Sequence, residues 1–207
     1  MNFRSTAVLL TLISCAPAES GDDGNSQDGE PPAPPVTVIL ETTVGDITLE
    51  LSPATAPETV ANFLKYVRGG FYNGLTFHRI EPDMVIQSGA VQPNGERRVY
   101  PSAVPIANEA ENGVKNLRGA LGMARTTDPH SAMTEFFINL EDNPAFDFRE
   151  TTIQGWGYAV FGHVVEGMDV VDRIGNSPTT RRGRYATFPV DPVVIERAYV
   201  QTNEDPE

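Results

Sequence analysis

The amino-acid sequence predicts a mainly β fold, a closed antiparallel barrel with two α-helices over its openings. Many short segments alternate apolar and polar residues, and only two well-separated segments have helical spacing. The 207 residues include 18 glycines and 17 prolines, which suits a turn-rich β protein better than a helical bundle. Hydrophobic residues make up 40% of the chain, enough for one sizeable core.

The first structured elements are a hairpin and a helix. Apolar and polar residues alternate over residues 36–51 around Val44-Gly45-Asp46, which predicts the hairpin. Pro57 suits the first turn of a helix and Gly69-Gly70 ends it. One face of that helix is apolar at helical spacing: Val60, Phe63, Leu64 and Val67.

The remaining elements are short. Strands are predicted at residues 76–80, 84–88, 120–124, 135–140, 158–165 and 193–200. A second helix is predicted at residues 168–174, before Gly175. Two long loops, 89–118 and 141–157, separate the strands, and loops of that length in a compact domain are usually functional.

Residues 1–15 have the pattern of an export signal. Arg4 is followed by an apolar run too short to span a bilayer, which needs about 20 residues. The run ends in Leu12-Ile13-Ser14-Cys15, which resembles the lipobox of bacterial lipoproteins. That resemblance implies a lipid on Cys15, the only cysteine, and a periplasmic protein anchored to a membrane, with Ala16 favouring the outer membrane. A secretory signal cleaved after Ala18 is the alternative.

Residues 16–35 are predicted to be a disordered linker, because they are acidic and rich in proline, glycine and serine. A single folded body is predicted over residues 36–201, and 202–207 is an acidic tail. The linker and tail hold eight of the 28 acids, so the body keeps 20 acids against 14 bases and a net charge of only about −6. Such a body offers no broad attraction to nucleic acid.

The common arrangements of catalytic residues are absent from the sequence. There is no Gly-x-Ser-x-Gly motif, no phosphate-binding glycine-rich loop and no His-Glu-x-x-His motif. His78, His130 and His163 are scattered, without the spacing of metal ligands. We therefore expect neither a cofactor nor a metal, and nothing argues against a monomer.

An arginine in an apolar segment is the most unusual feature of the body. Phe77-His78-Arg79-Ile80 precedes Met84-Val85-Ile86-Gln87, and strand alternation would place Phe77 and Arg79 on one face. An arginine beside an aromatic residue and within reach of a glutamine is unusual in a hydrophobic stretch. An edge-strand arginine paired with a surface acid is the alternative.

Longer motifs resemble those of bacterial cyclophilins, in the same order and at near-constant spacing from about residue 37 to 200. The central block is Leu121-Gly122-Met123-Ala124-Arg125-Thr126, Ser131-Ala132 and Glu135-Phe136-Phe137-Ile138-Asn139. Gln154-Gly155-Trp156-Gly157-Tyr158 and Val160-Phe161-Gly162 follow it. The resemblance implies an eight-stranded antiparallel barrel capped by two helices, with a shallow groove outside the barrel. It also implies a peptidyl-prolyl cis-trans isomerase that assists the folding of exported proteins.

The resemblance implies a set of site residues. The catalytic residues are Arg79, Gln87, Phe77 and His78. The residues that bind a proline-containing peptide are Met84, Val85, Ala124, Arg125, Glu135, Phe137, Phe146 and Tyr158. Arg79 would hydrogen-bond the proline nitrogen of a twisted amide, and Gln87 would orient Arg79.

Several positions depart from the family pattern. Met84 replaces the usual Phe, Glu81 an apolar residue, and Ser88 and Ala90 two glycines. Glu135 replaces Gln and would weaken Arg79 if the two paired. We therefore expect an active but weakened isomerase. A tethered module that binds proline-containing peptides with little turnover, and a chaperone for exported proteins, are the alternatives.

Overall fold

The computed structural model describes Met1 and residues 32–202 of the chain. The predicted signal peptide with Cys15, the linker as far as residue 31, and the tail from residue 203 lie outside the described residues.

Antiparallel strands dominate the described part of the chain. The strands are β1 (Val36–Thr42), β2 (Gly45–Leu51), β3 (Leu75–Thr76), β4 (Arg79–Glu81), β5 (Val85–Ser88), β6 (Ala120–Met123), β7 (Phe136–Asn139), β8 (Val160–Glu166), β9 (Thr179–Arg182), β10 (Tyr185–Pro189) and β11 (Val194–Val200). Nine of them form one curled sheet in the order β3-β11-β1-β2-β8-β6-β7-β5-β4. Strands β9 and β10 pair separately as a hairpin.

The sheet differs from the predicted closed eight-stranded barrel, because its order is open and it has nine strands. The single strand predicted at residues 76–80 is broken into β3 and β4, which are the two edges of the sheet. The Phe77 amide donates to the Val193 carbonyl at 3.2 Å, whereas the His78 amide donates to the Gln87 carbonyl at 3.0 Å. Phe77 and His78 themselves belong to neither strand.

Alternation along β1 and β2 explains the core. Leu40 faces Ile47 and Val38 faces Leu49 across the two strands, and all four side chains are fully buried. The side chains between them are partly exposed, as expected for a sheet with one buried face. The predicted hairpin at residues 36–51 is confirmed.

Two α-helices pack against the sheet: α1 (Pro57–Arg68) and α2 (Met168–Gly175). Pro57 occupies the first turn of α1, and the distant Glu109 carboxylate accepts hydrogen bonds from the Glu58 and Thr59 amides at 3.1 and 2.8 Å. That carboxylate satisfies two amides that a helix start leaves unpaired. Both predicted helices are confirmed. No helix in residues 32–202 is long and apolar enough to cross a membrane.

The two long loops contain little regular structure, apart from short 3₁₀ turns at Ala110–Asn112 and Pro144–Phe146. The hairpin β9–β10 was not predicted. It turns at Gly183, whose φ of 56° lies in the left-handed region that glycine adopts readily. This hairpin lies next to β4 and contributes to the candidate site.

Candidate active site

A row of paired, outward-facing positions crosses four strands of the sheet. Arg79 of β4 pairs with Gln87 of β5, Gln87 pairs with Phe137 of β7, and Phe137 pairs with Gly122 of β6. The neighbouring side chains along these strands, including Ile80, point inward and are fully buried. Strand alternation therefore places an arginine, a glutamine and a phenylalanine side by side on the outer face.

Arg79 is half-exposed at one end of this row, with 42% of its side chain accessible. Its Nη1 donates a hydrogen bond to Gln87 Oε1 at 3.2 Å, and its Nε lies 3.2 Å from Glu81 Oε1. Thr187 of the hairpin β9–β10 donates to the same Glu81 oxygen at 3.2 Å. Arg79 therefore fits both interpretations of the sequence. It lies on an edge strand and pairs with an acid, and it also lies beside a glutamine on the face that carries the aromatic rings.

Glu135 organises the polar side chains behind Arg79. Its carboxylate lies 2.7 Å from Arg97 Nη1 and 3.3 Å from His78 Nε2, and it accepts a hydrogen bond from Gln87 Nε2 at 2.8 Å. Burial alone would raise the pKa of Glu135, but His78 and Arg97 outweigh it and lower the pKa to about 2. The pairing of Glu135 with Arg79 that the sequence suggested is replaced by pairing of Arg79 with Glu81.

Phe137 of this row forms a cluster with two further aromatic rings, Phe146 and Tyr158. Phe137 contacts Phe146 and Tyr158 at centroid distances of 5.8 and 5.5 Å, and Phe146 lies 5.0 Å from Tyr158. Gly122 makes room for the Phe137 ring, because a Cβ atom there would lie 2.2 Å from Phe137 Cζ. Phe146 reaches this cluster from the 3₁₀ turn at Pro144–Phe146.

Two clefts meet at Gln87 and Glu135, which line both. The first, the Arg125 cleft, has a volume of about 240 Å³ and is lined by Ala124, Arg125 and Arg97 among others. The second, the hairpin cleft, has a volume of about 360 Å³ and lies between Arg79 and hairpin β9–β10. Its walls are His78, Arg79, Glu81, Gln87, Glu135, Arg184, Tyr185, Ala186 and Thr187.

Arg125 is held in place at the mouth of the Arg125 cleft. Its Nε donates to the Gly157 carbonyl at 2.8 Å, and its guanidinium lies 4.7 Å from the Tyr158 ring centroid. The Arg125 cleft and the aromatic cluster are thereby joined, because Tyr158 belongs to that cluster. The surface thus holds two adjoining clefts lined mainly by polar side chains, beside a cluster of three aromatic rings.

Comparison with known proteins identifies the family. The model of the cyclophilin type peptidyl-prolyl cis-trans isomerases matches residues 37–200. The chain belongs to the cyclophilin family. It is 49% identical over 164 residues to peptidyl-prolyl cis-trans isomerase cyp18 of Streptomyces antibioticus, covering 79% of this chain and 98% of that protein. It is 47% identical over 163 residues to peptidyl-prolyl cis-trans isomerase B of Escherichia coli, with the same coverage of both chains.

Solved structures agree on the fold. A cyclophilin type isomerase from Cryptosporidium parvum aligns with a TM-score of 0.67 at 23% identity, over 82% of this chain and 99% of that one. A second structure of that protein, in the presence of the dipeptide Ala-Pro, aligns with a TM-score of 0.65 over 81% of this chain and 99% of that one. The family match and the two bacterial relatives, rather than these structures, show that the chain is a cyclophilin-type peptidyl-prolyl cis-trans isomerase.

The cyclophilin fold brings most of the predicted site residues to one face. Arg79, Gln87, His78 and Glu135 form a connected network, whereas Phe137, Phe146 and Tyr158 form the aromatic cluster. Ala124 and Arg125 line the adjoining cleft. Val85 lies on β5 and is almost fully buried, and Met84 precedes it with 38% of its surface exposed.

Phe77 is not on the outer face with Arg79, contrary to the sequence prediction. Its side chain is fully buried in the main core, together with Ile80. The strand break at Phe77-His78 is the physical reason, because alternation from Phe77 to Arg79 holds only in an unbroken strand. Phe77 is therefore a core residue and lines neither cleft.

Ser88 and Ala90, the two residues after Gln87 that depart from the family pattern, are accommodated in the core. Ser88 is fully buried and its hydroxyl donates to the Thr76 carbonyl at 2.9 Å, and Ala90 is also fully buried. Gly89 between them has a φ of 103°, and a Cβ there would lie 2.4 Å from the Thr134 carbonyl oxygen. Only the middle position of this segment therefore requires glycine.

Sequence reasoning missed the residues that complete the network. Arg97 comes from the long loop 89–118, and Arg184, Tyr185 and Thr187 come from the hairpin β9–β10. The hairpin had a signal, since β-forming Thr and Tyr residues flank Gly183. Arg97 had none, because nothing local in an irregular loop predicts a partner so distant in sequence.

Proposed function

We propose that Arg79 is the catalytic residue of this isomerase and that the aromatic cluster holds the substrate proline. Rotation about an Xaa-Pro bond faces a barrier of about 18–20 kcal/mol, because it breaks amide conjugation. In the twisted amide the proline nitrogen regains its lone pair and accepts a hydrogen bond. A donor placed there binds the twisted amide more tightly than the planar one, which is the requirement for catalysis.

The observation that supports this role is the partial engagement of the Arg79 guanidinium. Its Nη1 is bonded to Gln87 and its Nε faces Glu81, so the head group is held in one orientation. We assign Nη2 to the proline nitrogen of the twisted amide. Glu135 accepts from Gln87 Nε2, which turns Gln87 Oε1 toward Arg79 and fixes the geometry.

Arg79 supplies only part of the rate enhancement. A charge-assisted hydrogen bond contributes about 1.5–3 kcal/mol, and the Glu81 carboxylate reduces the free charge of Arg79. Holding the proline ring against Phe137, Phe146 and Tyr158 supplies the rest. We therefore propose an isomerase weakened by Glu81, the acid that faces Arg79.

Replacement of Arg79 tests the proposal. We expect Arg79→Ala to lower kcat/KM about 10- to 100-fold, the rate equivalent of one charge-assisted hydrogen bond. The measurement is a protease-coupled assay on a short Ala-Pro peptide. Arg197→Ala is the matched control, since Arg197 is also a strand arginine near a carboxylate, Glu41 at 3.9 Å. Equal rates for Arg79→Ala and wild type would remove Arg79 from the mechanism.

We further propose that the isomerase acts on exported proteins while anchored by a lipid on Cys15. The support is the sequence of residues 1–15, which ends in Leu12-Ile13-Ser14-Cys15. A flexible linker of about 20 residues has a root-mean-square reach of about 25 Å. An anchored, monomeric domain would thus reach polypeptides emerging near the periplasmic face of a membrane.

Replacement of Cys15 tests the anchor. We expect the full-length wild type to incorporate radiolabelled palmitate and to enter the detergent phase of Triton X-114, because acyl chains make the chain amphiphilic. Cys15→Ala should do neither, and Ser14→Ala is the matched control that keeps the acylated thiol. A wild-type protein that is unlabelled and begins at Glu19 would instead support the secretory signal cleaved after Ala18.

A further inference from the structure

The hairpin β9–β10 is a basic segment in an acidic protein. Residues 177–190 contain Arg181, Arg182 and Arg184 and no acid, whereas the chain as a whole has a net charge of −13. None of the three arginines forms an ion pair with a carboxylate of the described residues. Such a concentration of unpaired positive charge attracts negatively charged groups.

The three arginines have different surroundings. Arg182 has a structural role, because its Nη1 donates to the Pro93 carbonyl at 2.6 Å and its guanidinium lies 4.6 Å from the Phe188 ring centroid. Arg184 lines the hairpin cleft next to Arg79. Arg181 is also exposed on the same hairpin but does not line that cleft. Arg184 is therefore the hairpin arginine that a ligand in the cleft would meet.

The acids of the hairpin cleft do not cancel the charge of Arg184. Glu81 faces Arg79 at 3.2 Å, and Glu135 faces Arg97 at 2.7 Å. Each carboxylate is thus already paired with a guanidinium: Glu81 with Arg79 inside the hairpin cleft, and Glu135 with Arg97, which lines the adjoining Arg125 cleft. The charge of Arg184 is left over, so the cleft favours an anionic group.

We propose that the hairpin cleft is a substrate subsite for an acidic side chain, Asp or Glu, and that Arg184 pairs with its carboxylate. The inference rests on the proposed role of Arg79, which places the target proline at the edge of the same cleft. The cleft volume of about 360 Å³ accommodates such a side chain. The enzyme would thereby favour prolines that lie within a few residues of an acid.

Peptides that differ in one residue test the subsite. A neutral Ala-Pro peptide is prepared with Glu, Gln or Lys at each of the three positions on either side of the proline, and isomerisation is measured by NMR exchange spectroscopy at low salt. We expect Glu at one or two positions to raise kcat/KM about two- to five-fold over Gln, the range of an exposed charge pair. Lys should lower it, and high salt should abolish the difference.

Two matched variants assign the preference. In Arg184→Gln the Glu-to-Gln ratio should fall to about one, whereas Arg181→Gln removes the same charge from the same hairpin and should keep the wild-type ratio. A ratio of one in the wild type at every position, or equal losses in both variants, overturns the subsite. The turnover of the neutral peptide by Arg79→Ala is measured separately. The proposed subsite can therefore be contradicted without contradicting the proposed catalytic role of Arg79.

Discussion

Acidification from pH 6 to pH 3 is expected to lower the free energy of unfolding of the wild type by about 2 kcal/mol more than that of Glu135→Gln. The reason is the Glu135 carboxylate, whose pKa is lowered from 4.5 to about 2 by His78 and Arg97. Only 19% of this side chain is exposed, so solvent screens these interactions weakly. The ionised carboxylate is therefore a substantial source of stability.

The direction of the effect follows from proton linkage. Because the folded-state pKa of Glu135 is lower than the unfolded-state pKa, the unfolded chain binds the proton more readily, and stability falls as pH falls. A shift of about 2.5 pKa units corresponds to roughly 3 kcal/mol, present in full above pH 4.5. About 2 kcal/mol of it is lost by pH 3, and the rest is lost through pH 2.

Urea unfolding at pH 6 and pH 3 measures the effect as a difference between two proteins. Other carboxylates titrate in both, so the comparison isolates Glu135. Glu50→Gln is the matched control, since Glu50 also lies near a histidine, His163 at 3.7 Å, but its side chain is 40% exposed. We expect this control to stay within about 0.5 kcal/mol of wild type at both pH values. Parallel pH profiles for wild type and Glu135→Gln would contradict the Glu135 network.

Most of the scaffold could be predicted from periodicity alone. The hairpin of β1 and β2 and the two helices have regular spacing and strong end signals, such as Pro57 and Gly69. The hairpin β9–β10 could not be recognised in the same way, because most of its residues are exposed and its strands lack alternation of apolar and polar residues. The break at Phe77-His78 was missed because no glycine, proline or other turn residue marks it in the sequence.

The candidate site was predictable where it depends on alternation within a strand. Arg79 and Gln87 are neighbours because β4 and β5 pair in antiparallel register. The ion-pair partner of each charged side chain was not predictable. Arg79 pairs with Glu81, and Glu135 pairs with Arg97 from a distant loop. Choices among several nearby charges depend on side-chain geometry, which a linear sequence does not contain.

The largest effect on stability is expected from Phe63→Ala, which should lower the free energy of unfolding by about 3–5 kcal/mol. Phe63 is fully buried on α1, with ring centroids 5.2 Å from Tyr72, 5.3 Å from Phe136 and 5.2 Å from Phe161. Phe136 belongs to β7 and Phe161 to β8, so this one side chain joins the helix to the sheet. Its removal leaves a cavity between rigid rings that cannot collapse to fill the space.

Phe148→Ala is the control that distinguishes the cost of the core cavity at Phe63 from the cost of losing any aromatic ring. Phe148 is partly exposed in the loop 141–157, and its ring contacts Trp156 at 5.5 Å. We expect it to cost less than about 1.5 kcal/mol, because solvent refills the space that its ring leaves. Calorimetry should then show a fall in Tm of roughly 10 °C for Phe63→Ala and only a few degrees for Phe148→Ala. Similar losses of stability in the two variants would mean that Phe63 does not hold α1 against the sheet. The helix would then be held chiefly by its other apolar side chains and by the Glu109 carboxylate at its first turn.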